Sequence, residues 1–135
     1  MRPVDIPRVS VGNAAEDSTQ FRHWFVGDFA AWSNLGAAAR ERFGLRDTRQ
    51  VAIKWGVHAT GELRPGGWNE GDDLVTLSVL VSGDFVLSFD DGAGGVREVR
   101  LARPGDYALW TPGTRHTWRV ASSCIVLTVR WRDAP

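Results

Sequence analysis

The chain has 135 residues, a formal net charge of +0 and one cysteine, Cys124. This length suffices for one domain with its own core, and the lone cysteine, which excludes an internal disulfide, is predicted to be a small buried hydrophobe. Acidic and basic residues are interspersed, which disfavours nucleic acid as a partner. Without a signal peptide or an apolar run of about 20 residues, we expect a cytoplasmic protein with no membrane partner.

Two features of the composition stand out. One of the 16 basic residues is a lysine, Lys54, and the others are arginines, which together with abundant alanine and glycine indicates a GC-rich bacterial genome. The chain also has seven tryptophans. These either fill the core and cover sheet edges, or line a cavity for a planar or apolar ligand.

The N-terminal region, residues 1–50, is predicted to pack on a main domain that spans residues 51–135. Residues 1–20 lack hydrophobic periodicity and predict an arm that is ordered only by docking. A strand is then expected at residues 23–29, HWFVGDF, and one short helix at residues 35–43.

This aromatic strand is not expected to remain in water. We therefore predict a homodimer in which Trp24, Phe25 and Phe29 are buried against the sandwich of their own subunit or of its partner.

From residue 51 onward the pattern changes to short strands separated by glycine and proline turns. Seven such segments predict a single antiparallel sandwich or barrel. The segments are VAIKWGV, DLVTLSVLV, DFVLSF, VREVRLA, DYALW, HTWRV and CIVLTVRW.

Residues 105–118, GDYALWTPGTRHTW, resemble the second motif of the cupin family, in which a glycine, a strand and a Pro-Gly turn precede a metal-binding histidine. The resemblance covers about residues 51–132 and is to small single-domain bacterial cupins of uncharacterised function. It implies an all-β fold, a double-stranded β-helix or RmlC-like jelly-roll barrel. The N-terminal arm and the one short helix predicted above are added to this barrel.

The first cupin motif lacks its usual metal ligands. Counting back from Gly83, the glutamate position is occupied by Thr76, and the two histidines fall on or near Glu70 and Asp72. Because only His116 is left as a nitrogen ligand, we expect no metal and no other cofactor. The alternative is a metal-dependent cupin oxygenase or isomerase that uses His116 with Glu70 or Asp72.

Three residues are candidates for catalysis. The resemblance directs His116 into the barrel, where a neutral imidazole can act as acid or base near pH 7; otherwise it is a former ligand satisfied by a backbone carbonyl. Strand alternation places Lys54, Gly56 and His58 on one face. An exposed Lys54 is an ordinary strand charge, whereas inside the barrel it is an anion anchor or an amine nucleophile.

The predicted function is small-molecule binding in an aromatic-lined pocket. As an enzyme, the protein is expected to catalyse an isomerisation, epimerisation or cyclisation in bacterial secondary metabolism, with His116 as acid or base. A non-catalytic ligand-sensing module is a further alternative, and a pocket plugged by Trp110 or Trp118 would indicate a decayed site. The candidate substrate-binding residues are Trp55, Trp68, Thr76, Tyr107, Trp110, Trp118 and Arg130.

Overall fold

A computed structural model describes residues 2–3, 7, 10–32 and 47–132. The helix expected at residues 35–43 lies outside this part of the chain. The N-terminal residues form short elements where the sequence predicted an irregular arm, because β1 and β2 pair antiparallel and the Asn13 side chain caps the helix that follows. These elements are β1 (Arg2–Pro3), β2 (Ser10–Val11), α1 (Ala14–Asp17), a 3₁₀ turn (Thr19–Phe21), β3 (Trp24–Val26) and α2 (Phe29–Trp32).

The remaining described residues form an antiparallel β structure, as the sequence predicted. Its turns are those that the glycine and proline clusters indicated; the hairpin after Asp90, for example, is closed by the Asp91 carboxylate, which accepts hydrogen bonds from two backbone N–H groups. The strands are β4 (Val51–His58), β5 (Val75–Asp90), β6 (Val96–Leu101), β7 (Tyr107–Trp110) and β8 (His116–Trp131).

Two predicted pairs of strands are single long strands in the structure. The turns expected at 82–83 and 121–123 are bends within β5 and β8, and the pairing register between these strands shifts there. Gly83 makes the bend possible because its φ is +89° and a Cβ at this position would lie 2.1 Å from the Ser123 carbonyl oxygen. Gly83 therefore marks a change of direction, as predicted, but the strand continues through it.

The bends divide the sheet into two layers. One layer contains β3, β4, the C-terminal half of β8, the N-terminal half of β5 and β7; the other contains the N-terminal half of β8, the C-terminal half of β5 and β6. Leu80 and Val126 from the first layer pack against Phe85, Leu87 and Val120 from the second, which forms the main core.

The core also contains Cys124, which is buried as expected. Burial raises the pKa of its thiol to about 11. A smaller core joins Phe21 and Phe29, whose ring centroids are 4.4 Å apart, with Trp24 packed against them. Among the described helices, none has the length and apolar character needed to cross a membrane.

Candidate functional site

A cavity of about 40 Å³ lies between the two layers. Its walls come from β4, β5, β7 and β8, with one further residue from the loop after β4. The space between the layers is therefore narrow but not filled, although Trp110 and Trp118 both form part of the cavity wall. Seven of the predicted site residues line it: Lys54, His58, Thr76, Trp110, His116, Trp118 and Arg130.

Three predicted site residues lie elsewhere. Trp55 is outside the cavity because it alternates with Lys54 and Gly56, which face inward. Tyr107 lies on β7 with 66% of its surface exposed, and Trp68 is covered by the Arg115 guanidinium, whose carbon is 4.2 Å from the ring centroid. The structure thus corrects their assignment to the cavity wall.

One side of the cavity is strongly basic. Lys54 is on β4, which lies between β3 and β8 and is not an edge strand. Its Nζ lies 5.9 Å from the ring centroid of Trp24 and 5.8 Å from that of Trp118, and the guanidinium carbon of Arg130 lies 4.9 Å from the Trp24 centroid. Burial, and then the charge of Arg130, lower the pKa of Lys54 to about 8. Burial also lowers the pKa of Arg130.

A third basic group, Arg64, was not predicted to belong to the site. Its side chain donates a hydrogen bond of 2.9 Å to the Gly67 carbonyl, and its backbone N–H donates to the Trp118 carbonyl at 3.2 Å. These bonds hold the loop against β8, and Arg64 is one of the residues that line the cavity. The loop shows no regular alternation of polar and apolar residues. The only sequence signal for Arg64 as a site residue is therefore its place in the chain, six residues after the inward-facing His58.

Neutral polar side chains lie beside the basic groups. Thr76 on β5 is directly opposite Arg130 on β8, and Ser78 is opposite Thr128. The hydroxyl groups of Ser78 and Thr128 are 2.9 Å apart and satisfy each other. By contrast, the Thr76 Oγ1 and the Arg130 Nε are buried and have no hydrogen-bond partner among the residues that the structure describes.

His58 is held by the carboxylate of Glu62, a residue that was not among the predicted site residues. The His58 Nδ1 lies 3.0 Å from Glu62 Oε1, four residues along the turn that follows β4. Because an ionised carboxylate can only accept a hydrogen bond, the Nδ1 carries the proton and the Nε2 keeps its lone pair. Burial lowers the pKa of His58, while Glu62 opposes the shift. Gly56 gives the ring its space, since a Cβ there would lie 2.8 Å from His58 Nε2.

His116 lies in a separate aromatic cluster at the same cavity. Its ring centroid is 4.8 Å from that of Trp110 and 6.3 Å from that of Phe89. The Nδ1 donates to the Thr114 carbonyl at 3.1 Å, so the Nε2 is the acceptor nitrogen. Burial lowers the pKa of His116. The ring is therefore both satisfied by a backbone carbonyl and placed at the cavity.

The residues present do not fit the metal site that the cupin resemblance implies. The exposed Glu70 accepts a hydrogen bond from Arg115 at 2.8 Å, and Asp72 accepts one from the Leu74 backbone at 3.0 Å. The position of the glutamate ligand holds Thr76, whose hydroxyl is a poor ligand for iron or zinc. Within the described ranges no group of three histidine, cysteine, aspartate or glutamate side chains is arranged to hold a metal ion.

Comparison with solved structures identifies the fold. A cupin superfamily protein from Desulfitobacterium hafniense has a TM-score of 0.54 and 22% identity, covering 64% of this chain and 72% of that protein. A Streptococcus pyogenes protein of unknown function has a TM-score of 0.55 and 15% identity, covering 66% and 70%. The Bacillus subtilis oxalate decarboxylase, which has Mn(II) centres, has a TM-score of 0.53 and 14% identity, covering 64% of this chain and 22% of the enzyme.

These likenesses show that the chain has a cupin jelly-roll fold. At such identities they show the fold alone. No family model matches the chain, and no curated protein does.

Proposed function

We propose that the cavity binds a small organic anion, with the ligand's carboxylate in its inner part. The observation that carries this proposal is the charge of the lining: Lys54, Arg64 and Arg130 are basic, and none of the described lining residues is acidic. Buried like charges are costly unless a counter-charge accompanies them. A carboxylate supplies that charge, and an arginine can bind it through two parallel hydrogen bonds.

The unsatisfied groups support the same ligand. Arg130 Nε and Thr76 Oγ1 are on neighbouring strands at directly paired positions, and both can donate a hydrogen bond. Buried donors normally have partners, so two unpaired donors at one place favour an acceptor from outside the protein. A carboxylate has two oxygens and accepts from both groups.

The dimensions of the cavity favour a short ligand. One water molecule needs about 10 to 15 Å³ of such a cavity, so a cavity of about 40 Å³ holds roughly three waters. This is the space of a carboxylate group, with any further atoms directed toward the mouth. The flat rings of Trp110 and Trp118 in the lining favour contact with a planar group.

The proposed chemistry is proton transfer on the bound anion, as in an isomerisation, epimerisation or cyclisation. Burial keeps His58 and His116 neutral near pH 7, and each has its Nδ1 engaged and its Nε2 left as a base.

Metal independence is part of this proposal and is supported by the donor set described above. Elemental analysis is expected to find well under one equivalent of transition metal, and near-stoichiometric metal that is lost on His116→Ala would favour the metal-dependent alternative. A cytoplasmic location is likewise proposed.

A binding titration tests the anion site. Tryptophan fluorescence is measured while sodium acetate, glyoxylate or oxalate is added at constant ionic strength, with acetamide as the uncharged analogue of acetate. We expect a saturable change with the anions and none with acetamide. Arg130→Gln should weaken binding about tenfold to a hundredfold, and Arg103→Gln, at an exposed arginine, should leave it unchanged. Equal responses to acetate and acetamide would contradict the proposal.

The second candidate, a non-catalytic sensing module, shares this binding site. Saturable anion binding without proton exchange or turnover of any bound acid would favour it. Solvent deuterium incorporation into the bound acid, monitored by NMR, would instead favour the enzyme.

A further inference from the structure

We propose that Lys54 is the nucleophile of a covalent site, and that its ε-amine forms an imine with a 2-oxo acid held in the cavity. This inference rests on the proposed anion site, since the basic groups would hold the ligand's carboxylate. It goes further in naming a carbonyl next to that carboxylate as the group that reacts with the chain.

The strand register places the amine and the anion anchor near each other. Lys54 is paired with Thr128 on β8, and Arg130 is the next residue of β8 on the same face. Diagonal neighbours on adjacent strands lie within reach of long side chains. Accordingly, the Lys54 Nζ and the Arg130 guanidinium carbon are 5.9 Å and 4.9 Å from the centroid of the same ring, that of Trp24. In a 2-oxo acid the carbonyl carbon is bonded directly to the carboxylate, so one short molecule can contact both.

The environment favours the free amine, which is the reactive form. Lys54 has no hydrogen-bond or ion-pair partner among the interactions of the described residues, and its charged neighbours Arg130 and Arg64 repel an ammonium group. Glu62 acts in the opposite direction, but its carboxylate accepts hydrogen bonds from His58 and the Ala59 N–H. The resulting pKa of about 8 leaves a substantial fraction of neutral amine near physiological pH.

The reaction balances without an oxidant or another reactant. The amine nitrogen adds to the carbonyl carbon, and the carbonyl oxygen takes up a proton to give a carbinolamine. The C–O bond then breaks as the C=N bond forms, and one water leaves that contains the carbonyl oxygen and the two amine hydrogens. His58, which shares the inward face of β4 with Lys54, has an Nε2 lone pair that can accept and return the proton between these steps.

Reductive trapping tests the proposal sharply because Lys54 is the only lysine in the chain. The folded protein is incubated with sodium pyruvate and sodium cyanoborohydride near pH 7.5, and the adduct is measured by intact mass and located by peptide mass spectrometry. We expect one reduced pyruvate adduct, saturable with pyruvate and located at Lys54. Acetone at the same concentration has the carbonyl but no carboxylate, and it should give less adduct than pyruvate by a factor of about ten or more.

Two variants separate the parts of the site. Lys54→Arg keeps the positive charge but has no primary amine, so it should abolish the adduct. Arg130→Gln should retain the amine but require about tenfold to a hundredfold more pyruvate for half-maximal trapping. Circular dichroism confirms that each variant is folded.

The outcomes distinguish this inference from the proposed function. Saturable pyruvate binding without an adduct at Lys54 would overturn the covalent site and leave the anion site standing. An adduct only at the N-terminal amine, or equal labelling by acetone, would also overturn it. Absence of both binding and adduct would overturn the anion site itself.

Discussion

Thr76 and Arg130 face each other across β5 and β8, and each has a buried polar atom that no described residue satisfies. A buried donor without a partner costs about 1 to 3 kcal/mol. The pair therefore lowers the stability of the ligand-free protein at the place where, by our proposal, an anion is bound.

We predict that Thr76→Val stabilises the ligand-free protein and weakens anion binding. Valine has nearly the shape of threonine but no hydroxyl, so the gain in the free energy of unfolding should be about 1 kcal/mol. Thr128→Val is the matched control: it breaks the 2.9 Å contact with the Ser78 hydroxyl and should be destabilising. Urea denaturation with and without acetate measures both effects. A destabilising Thr76→Val would mean that its hydroxyl already has a partner.

Replacement of Lys54 is predicted to stabilise the protein in a pH-dependent way. The pKa of this lysine is about 8 in the folded protein and 10.5 when unperturbed. Between these values the unfolded chain binds a proton that the folded protein does not, so the lysine's contribution to stability improves as pH rises. Below about pH 8 both states are protonated, and the full cost of the buried charge remains.

Lys54→Met should therefore raise the free energy of unfolding by about 1 to 3 kcal/mol at pH 7. The gain should shrink as pH rises toward 10.5. The difference in the free energy of unfolding between the two proteins does not contain the contribution of groups that titrate in both, such as Cys124 with its pKa of about 11. A gain that is the same at pH 7 and pH 10 would show that the ammonium is solvated.

Acidification is predicted to destabilise the protein through His58 and His116, which are buried, and His23, which is half-buried. Burial lowers the pKa values of His23, His58 and His116 below 6.5. As pH falls below 6.5, the unfolded chain gains protons before the folded protein does, so the free energy of unfolding decreases. Glu62→Gln should lower the pKa of His58 further, because it removes the charge that favours the imidazolium. NMR titration of the imidazole resonances measures each pKa. If the pKa of His58 is the same in the Glu62→Gln variant, the 3.0 Å hydrogen bond between His58 Nδ1 and Glu62 Oε1 is contradicted.

The N-terminal aromatic segment is predicted to be essential for solubility. Phe29 is 1% exposed and packs on Phe21 in the smaller core, so Phe29→Ala should cost about 3 to 5 kcal/mol. Val96→Ala, at a residue with 56% exposure, should change stability little.

Removal of residues 1–29 also removes β3 from its pairing with β4, and the truncated protein should aggregate. A soluble truncation would contradict this expectation.

The homodimer expected from the same segment stays a proposal. Light scattering of the full chain should give twice the mass of one subunit. A monomer that is stable and soluble would show that the aromatic segment is covered by its own subunit alone.

The sequence determined the fold because its signals are local. Alternation along β4 correctly placed Lys54, Gly56 and His58 on one face, and the glycine and proline clusters marked the changes of direction. The cupin resemblance placed His116 at the interior in the same way, since its motif is a continuous segment. Such patterns depend on neighbours in the chain and need no knowledge of the packing.

The composition of the site was decided by the tertiary structure. Whether Lys54 is solvated or enclosed depends on Trp24 and Trp118, which arrive from β3 and β8. Arg64 and Glu62 lie in a loop without periodicity and reach the site only because hydrogen bonds hold that loop to β8 and to His58. Tyr107 shares its strand with the cavity residue Trp110 but is exposed, because the pleat turns it outward. The polarity of a cavity depends on which distant strands meet, and that information is spread over the whole chain.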